Sequence, residues 1–311
     1  MFLGDQRVAT SLCGIDLETP IVNGSGTLDA LVAGTLGVAA FVTKTVTLNP
    51  RDGNPPQRIA ETPSGMVNSI GLANPGLDVF CERDLPRLGE LGVPLIVSVG
   101  GWSPAEYAAA VRRISADPRV AALELNISCP NVDSGCISIG TDAGETRRLV
   151  ELCRGLTDLP LLVKLSPSVA DVAAIAVAAE AGGADGLVLI NTVRGMAIDR
   201  HTLRPLLGGG GGGLSGPAVK PVGLHAVFHC RRATGLPIVG MGGVSCVDDV
   251  LQYLAAGSTV VGVGTAIFRD PGLPARLARE LADEITARGL TSASEVVGTA
   301  HGTTAKALPK L

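Results

Sequence analysis

Long apolar runs, blocks of like charge, paired-cysteine motifs and a signal-type N-terminus are all missing from this chain of 311 residues. Each absence removes a class of function. Lys and Arg number 25 against 29 Asp and Glu, a net charge of −4 with no Arg-rich stripe, so nucleic acid is not an expected partner. The mean hydropathy is positive at +0.37. No apolar stretch approaches the roughly 18 residues of a membrane span, however, and no membrane association is expected. Met1-Phe-Leu-Gly-Asp-Gln-Arg7 lacks the basic start, apolar core and cleavage site of a secretory signal, from which a cytoplasmic location is expected. The seven cysteines (Cys13, Cys81, Cys129, Cys136, Cys153, Cys230, Cys246) include no Cys-x-x-Cys pair. They read as reduced thiols, and they do not form the cluster of about four thiolates that an iron–sulfur centre needs. Of the four histidines, His225 and His229 share helical spacing but have no acidic or third ligand beside them, so no metal site is expected.

What the chain has instead is a regular alternation of short apolar strands with Ala- and Leu-rich helical stretches. The predicted strands are 21–23, 40–45, 95–99, 121–127, 161–165, 186–191, 238–241 and 260–264. Eight such units predict an α/β fold, a closed parallel (β/α)8 TIM barrel with its helices outside, spanning 1–311 as one domain. Helical apolar spacing predicts helices over 104–115, 145–156, 168–181 and 248–256, several opened by Ser, Thr or Asp as caps. The first 19 residues contain a predicted hairpin, 8–12 and 15–17 split by Cys13-Gly14, expected to close the bottom of the barrel. Two connections, 46–78 and 193–222, are too long for ordinary loops. Both leave the C-terminal face, where barrels place active sites, and are expected to form walls and a lid. Gly208 to Gly213 is an unbroken glycine run. It fits either a flexible linker or backbone that must approach a ligand closely or move as a hinge.

Chemistry gathers at the strand ends. Asn126-Ile-Ser-Cys129-Pro-Asn131 sets a thiol between two amides where the run Val120-Ala-Ala-Leu-Glu-Leu125 gives out and Pro130 ends the strand. Taken alone, Cys129 would be a buried structural cysteine among turn asparagines. Other strand ends change that reading: Asn23-Gly24-Ser25-Gly26, Thr43-Lys44-Thr45, Lys164, Asn191-Thr192, Gly242-Gly243 and Gly264-Thr265. The glycine ends of strands seven and eight suit a phosphate dianion, which points to a phosphorylated cofactor or substrate. Lys164 within Leu-Leu-Val-Lys-Leu is either a stem that snorkels to the mouth or a cation facing a reduced flavin. Asn68, Asn126, Asn131 and Asn191 with Thr192 could each be turn residues. Together they match a ring whose edge alternates carbonyl and N–H groups, as a pyrimidine does.

With these residues assembled, the chain closely resembles the class 1 dihydroorotate dehydrogenases, most of all the class 1B catalytic subunits. The motifs are Thr43-Lys-Thr-Val-Thr-Leu-Asn-Pro-Arg51, Gly65-Met-Val-Asn-Ser-Ile-Gly-Leu72, Asn126 to Asn131, Val163-Lys-Leu-Ser-Pro167, Asn191-Thr192, Gly213-Leu-Ser-Gly-Pro217, Gly242-Gly243 and Gly264-Thr265. The resemblance implies FMN-dependent oxidation of (S)-dihydroorotate to orotate in pyrimidine (UMP) synthesis, with Cys129 as the base that removes the C5 proton and hydride passing from C6 to the flavin. It implies substrate contacts from Lys44, Asn68, Asn126, Asn131, Asn191 and Thr192. FMN contacts would come from Gly24, Ser25, Lys44, Lys164, Ser215, Gly216, Gly242, Gly243, Gly264 and Thr265. It further implies a homodimer that joins an FAD and [2Fe–2S] electron-transfer subunit in an α2β2 assembly linked to NAD⁺; class 1A members use fumarate instead. Two other functions fit the same residues, a dihydropyrimidine dehydrogenase-like flavin subunit acting on uracil or thymine and a non-catalytic flavin-binding subunit. Cys136 and Ile139 stand where the family pattern has Gly and Phe, Ser168 replaces an Asn, and Gly101-Trp102 replaces a small polar pair.

Overall fold

The computed structural model describes residues 5–128 and 139–302. In chain order the strands are β1 (Thr10–Leu12), β2 (Ile15–Leu17), β3 (Ile21–Asn23), β4 (Phe41–Val42), β5 (Ile59–Thr62), β6 (Gly65–Asn68), β7 (Leu95–Val99), β8 (Val120–Asn126), β9 (Leu161–Lys164), β10 (Gly186–Leu189), β11 (Val193–Gly195), β12 (Gly212–Ser215), β13 (Ile238–Met241) and β14 (Val260–Val263). Eight of them form one parallel sheet in the order β3-β14-β13-β10-β9-β8-β7-β4. The seam between β3 and β4 is closed by other means. Ala39 N–H donates to Ile21 O at 2.8 Å, and the Asn23 amide both donates to Val42 O and accepts from Val42 N–H, each at 2.8 Å. A buried side-chain amide thus replaces a ladder rung, satisfying backbone groups that would otherwise be orphaned.

All eight predicted barrel strands are present, and β4 is the one that differs most, two residues against a predicted six. The ladder to β7 runs to Thr43, whose N–H donates to Ile96 O at 3.0 Å, breaks at 44–45 and resumes where Val46 N–H donates to Ser98 O at 2.9 Å. Beside the break, Thr43 Oγ1 accepts the Ser98 N–H at 3.1 Å. A local hydroxyl competes with the ladder there, and Lys44 and Thr45 are turned onto the barrel mouth. The predicted helix 168–181 begins only at Val172, because Asp171 is its cap and accepts from Ala173 and Ala174 N–H. Pro104–Ser115 forms as predicted, with the Ser103 hydroxyl as cap.

The apolar core has two layers. Outward strand residues pack under the helices, while Val22, Val42, Ile96, Ala122, Leu162, Val188 and Val239 fill the barrel. Leu12 and Leu17 of the β1–β2 hairpin join that inner layer. Cys13 Sγ contacts Asp185 O at 3.2 Å, just before β10, which sets the hairpin as a plug across the N-terminal end of the strands, where it was expected.

The two long connections fold together. β5 and β6 from the first, and β11 and β12 from the second, make one antiparallel sheet in the order β11-β12-β6-β5. The last two glycines of the run, Gly212 and Gly213, are part of this sheet rather than a linker. Gly213 pairs with both Asn68 and Arg194, and a Cβ on it would collide with the Thr192 hydroxyl. A Cβ on Gly212 would strike Asn68 O, and one on Gly209 would strike Ser69 Oγ. Among the described residues, no helix is long and apolar enough to cross a membrane.

Candidate active site

The C-terminal ends of the central strands carry a buried polar network across the barrel mouth. Glu124 on β8 is 1% exposed and Lys164 on β9 is 5% exposed; their charged atoms lie 4.0 Å apart. Ser98 Oγ on β7 donates to Glu124 Oε1 at 2.7 Å. Thr45 Oγ1 is 3.0 Å from Ser98 Oγ, and the Asn126 amide donates to Thr45 Oγ1 at 2.9 Å. Ser25 Oγ donates to Thr43 O at 2.8 Å and lies 3.3 Å from Thr45 Oγ1. Buried groups of this kind are tolerated only when paired, and here each has a partner.

From Asn126 the contacts run toward the sixth barrel strand. Ser128 Oγ donates to Asn126 Oδ1 at 3.0 Å and accepts from Asn191 Nδ2 at 2.9 Å. Asn191 Oδ1 in turn accepts the Thr192 N–H at 2.8 Å. The Tyr107 hydroxyl donates to Asn126 O at 2.8 Å and fixes the end of β8 from the helix side. Asn68 reaches across the insertion sheet to Gly213 O at 3.3 Å, and Gly213 faces Thr192. Lys44 lies over Gly26: a Cβ on that glycine would sit 2.8 Å from Lys44 Cδ. A cavity of about 580 Å³ opens beside it, bordered by Thr43, Asn74, Arg83 and Phe268.

The glycine ends form a second group. Thr265 Oγ1 donates to Ser215 Oγ at 2.7 Å, joining the end of strand eight to the insertion sheet. Gly242, Gly243 and Gly216 have φ of +129°, +75° and +94°, a region that glycine enters without strain. Gly243 also packs so tightly that a Cβ would meet Gly216 O at 2.8 Å. The Tyr253 hydroxyl donates to Gly242 O at 2.7 Å; burial pushes its phenol up, so it remains a donor. Below the glycine pair, Lys220 Nζ contacts Asp249 at 2.6 Å, and Asp249 also accepts from Ser245 N–H, Ser245 Oγ and Cys246 N–H. Burial raises the Asp249 carboxyl, but these donors outweigh it and hold the group below the usual carboxylate range.

The expected residues thus fall into adjoining sets. Asn126, Asn191, Thr192 and Asn68 meet around the mouth, Ser25, Lys44 and Lys164 line its floor and edge, and Ser215, Gly216, Gly243 and Thr265 converge at the glycine end, with Gly24 beside Gly264. Cys129 and Asn131 lie outside the described residues, as does Cys136. Sequence reasoning passed over Glu124, Ser98, Ser128 and Tyr107, and gave Thr45 a place at a strand end but no role. The signal for the first was available, since Glu124 is the one charge inside the run from Val120 to Leu125.

A barrel that keeps its polar groups on one face and fills the other end with aliphatic side chains belongs to the (β/α)8 enzymes that react at the C-terminal ends of their strands. The particular family follows from comparison with known proteins. Residues 7–285 match the family model for dihydroorotate dehydrogenase, and the chain belongs to that family. It is 45% identical to the dihydroorotate dehydrogenase B (NAD(+)) catalytic subunit of Desulforudis audaxviator, over 96% of this chain and 98% of that one. The proteins of the same name from Trichlorobacter lovleyi and Listeria monocytogenes are 42% and 43% identical, over 95% and 93% of this chain and 99% and 97% of theirs. The fold is shared with a DHODH from Eimeria tenella crystallised with ferulenol, at a TM-score of 0.82 and 23% identity, covering 97% of this chain and 90% of that one. The family is flavin-dependent, and the residues present fit such a group: a nearly buried ammonium on the floor, amides and hydroxyls around it, and glycine turns too tight for side chains at one end.

Proposed function

We propose that this chain is the catalytic subunit of a class 1B, NAD⁺-linked dihydroorotate dehydrogenase, oxidising (S)-dihydroorotate to orotate in pyrimidine synthesis with FMN as its cofactor. One observation carries the assignment of the site. Ser128, the residue before Cys129, is held between the amides of Asn126 and Asn191, so the thiol follows directly from the residue that joins two ring-recognising groups.

The flavin supplies a two-electron acceptor for the hydride leaving C6. Cys129 removes the C5 proton, and the C5–C6 single bond of the substrate becomes double as the two hydrogens depart as proton and hydride. Asn68, Asn126, Asn131, Asn191 and Thr192 hold the ring through its carbonyl and N–H edges, and a ligand that leaves these amides unpaired is rejected. Lys44 supplies positive charge to the substrate and cofactor from the second strand. Lys164 would help to hold the cofactor, its fixed positive charge favouring the reduced form. Gly24, Ser25 and Gly264 border the cofactor, while Ser215, Gly216, Gly242, Gly243 and Thr265 receive its phosphate.

The same reading gives a partner subunit carrying FAD and a [2Fe–2S] cluster, an α2β2 assembly built on a homodimer, and a cytoplasmic location. Support for a covered face comes from Met196, Ile198 and Leu203, which are 58%, 52% and 77% exposed on the second insertion. Anaerobic dihydroorotate should bleach the yellow protein. A chain that cannot take up FMN would refute the reading, and bleaching by dihydrouracil but not dihydroorotate would move it to the uracil-acting family. Cys129→Ala should keep FMN and lose turnover; unchanged turnover would remove Cys129 from the base role.

A further inference from the structure

Glu124 and Lys164 stand directly above the aliphatic filling of the barrel. Two residues earlier on the same faces of β7, β8 and β9 come Ile96, Ala122 and Leu162, all members of the inner apolar layer. Ser98, Glu124 and Lys164 form the next step toward the mouth, each almost wholly buried. Lys164 pairs in register with Asn126, so Glu124 is attached one pleat nearer the floor. Charges in such surroundings are poorly screened, and each alters the potential felt by a ligand at the mouth.

The pair differs from the other almost wholly buried carboxylate among the described residues. Asp249 takes the Lys220 ammonium at 2.6 Å and three further donors from Ser245 and Cys246, a closed ion pair. Glu124 Oε1 has the Ser98 hydroxyl at 2.7 Å, whereas Lys164 Nζ stays 4.0 Å from that same atom. This separation is beyond hydrogen-bonding reach. The carboxylate therefore takes none of the three ammonium protons but still opposes the ammonium charge. Stability does not explain the arrangement, since a well-packed apolar pair of similar volume is often at least as stable.

We propose that Glu124 is a positioning residue that acts through Lys164: its carboxylate offsets the lysine charge and so holds down the reduction potential of the bound flavin. The Lys164 charge by itself favours the two-electron-reduced flavin, which carries additional negative charge. Unopposed, it would make the cofactor a sink that keeps the electrons taken from the substrate. With the carboxylate 4.0 Å away, the ammonium retains its protons for the cofactor while the pair is close to neutral overall. The reduced flavin then gives its electrons up more readily to an onward acceptor.

The role rests on the flavin reading of the site, and the test separates the two. The midpoint potential of FMN on the full chain is read from its absorption against a reference dye during slow anaerobic reduction by dithionite, which needs no turnover. A parent chain that takes up no FMN would overturn the functional reading and this role with it. On a parent that does, Glu124→Gln should move the equilibrium about tenfold toward the reduced form, the order for one unit charge acting over about 10 Å at an effective dielectric of about 20. For a two-electron couple that is about 30 mV upward. Glu124→Asp keeps the charge and Ser98→Ala removes only a hydroxyl partner, so both should stay within about threefold of the parent. An unchanged potential in Glu124→Gln would overturn the role, as would an equal rise in either control, which would show that any disturbance of this layer suffices. A fall in Glu124→Gln would also overturn it, because Glu124 would then serve to keep Lys164 charged. Should Glu124→Gln fail to fold, Glu124→Met removes the same charge with an apolar side chain of similar length, and the same upward shift is required of it.

Discussion

Replacing single glycines in the run from Gly208 to Gly213 distinguishes a packed strand from a flexible linker. A Cβ on Gly213 would collide with the Thr192 hydroxyl and lie 2.6 Å from Thr192 Cβ, whereas one on Gly211 would have Gly195 O at 3.5 Å as its nearest neighbour, ordinary contact. Neither glycine has a left-handed φ, so space alone distinguishes them. Forcing a methyl into the packed position costs about 1–3 kcal/mol. At the open position, Gly→Ala should be neutral or stabilise by about 0.4–1 kcal/mol, through the lost freedom of the unfolded chain. For a chain of this size, 1 kcal/mol moves the melting temperature by about 2 °C. Gly213→Ala should therefore lower Tm by about 2–6 °C, and Gly211→Ala should leave it unchanged or raise it by about 1–2 °C. Circular dichroism melts of the two variants beside the parent give the answer. Gly213→Ala should also weaken orotate binding, because Thr192 must move to admit the methyl. Equal, small shifts for both variants would show that the run is not packed against Thr192, and the account of the insertion sheet would fail.

Three further outcomes follow from the same contacts. Asn23→Leu leaves Val42 N–H and C=O without their side-chain partner, and should cost roughly 2–4 kcal/mol as a shift in the urea midpoint at unchanged slope; a midpoint within about 0.5 kcal/mol of the parent would contradict the seam. Because the Asp249 carboxyl is held low in the folded chain, its contribution is present above the ordinary carboxylate pKa of about 4 and is lost as pH falls through the lower folded value. Asp249→Asn should accordingly be less stable near pH 6 and lose less than the parent between about pH 5 and 2, a difference that thermal melts across that range would detect. Burial pushes the thiols of Cys13, Cys153 and Cys230 up to about 12, while Cys246 is exposed. Of these four, iodoacetamide at pH 8 should label Cys246 first, and the other three only as the chain unfolds; early modification of Cys153, read by peptide mass, would place it outside the core.

The barrel was legible because its strands are short aliphatic runs buried on both faces, a pattern that needs no partner to be recognised. Ile21 to Asn23, Leu95 to Val99 and Ile238 to Met241 form over the predicted residues. The insertion sheet was not legible, for a physical reason. β12 is Gly-Gly-Leu-Ser and carries no alternation of apolar and polar residues, and its partner Asn68 lies 145 residues earlier. Such a strand is specified by the space between its neighbours, which local sequence does not contain. The same holds at the mouth: the amides could be read as ring-binding groups, but Thr45 and Asn126 are 81 residues apart. Only the fold brings the first into contact with the second.

Placement of the missed residues follows from the division between the two ends of the barrel. At the bottom, Leu12 and Leu17 cap an aliphatic interior that contributes burial and no chemistry. At the top, the inward positions of β7, β8 and β9 are Ser98, Glu124 and Lys164, polar or charged and almost wholly buried. Polar groups so placed cost free energy unless every one is paired, and the apolar plug and helix-packed shell supply the stability that tolerates them. A pattern search that scores strands by their apolar residues rewards the bottom of the barrel and discards the exceptions at the top. The exceptions are informative because they run against the burial pattern: a lone Glu in an apolar strand has to be held by partners from neighbouring strands, and following those partners from Glu124 leads to Asn126, Asn191 and Thr192.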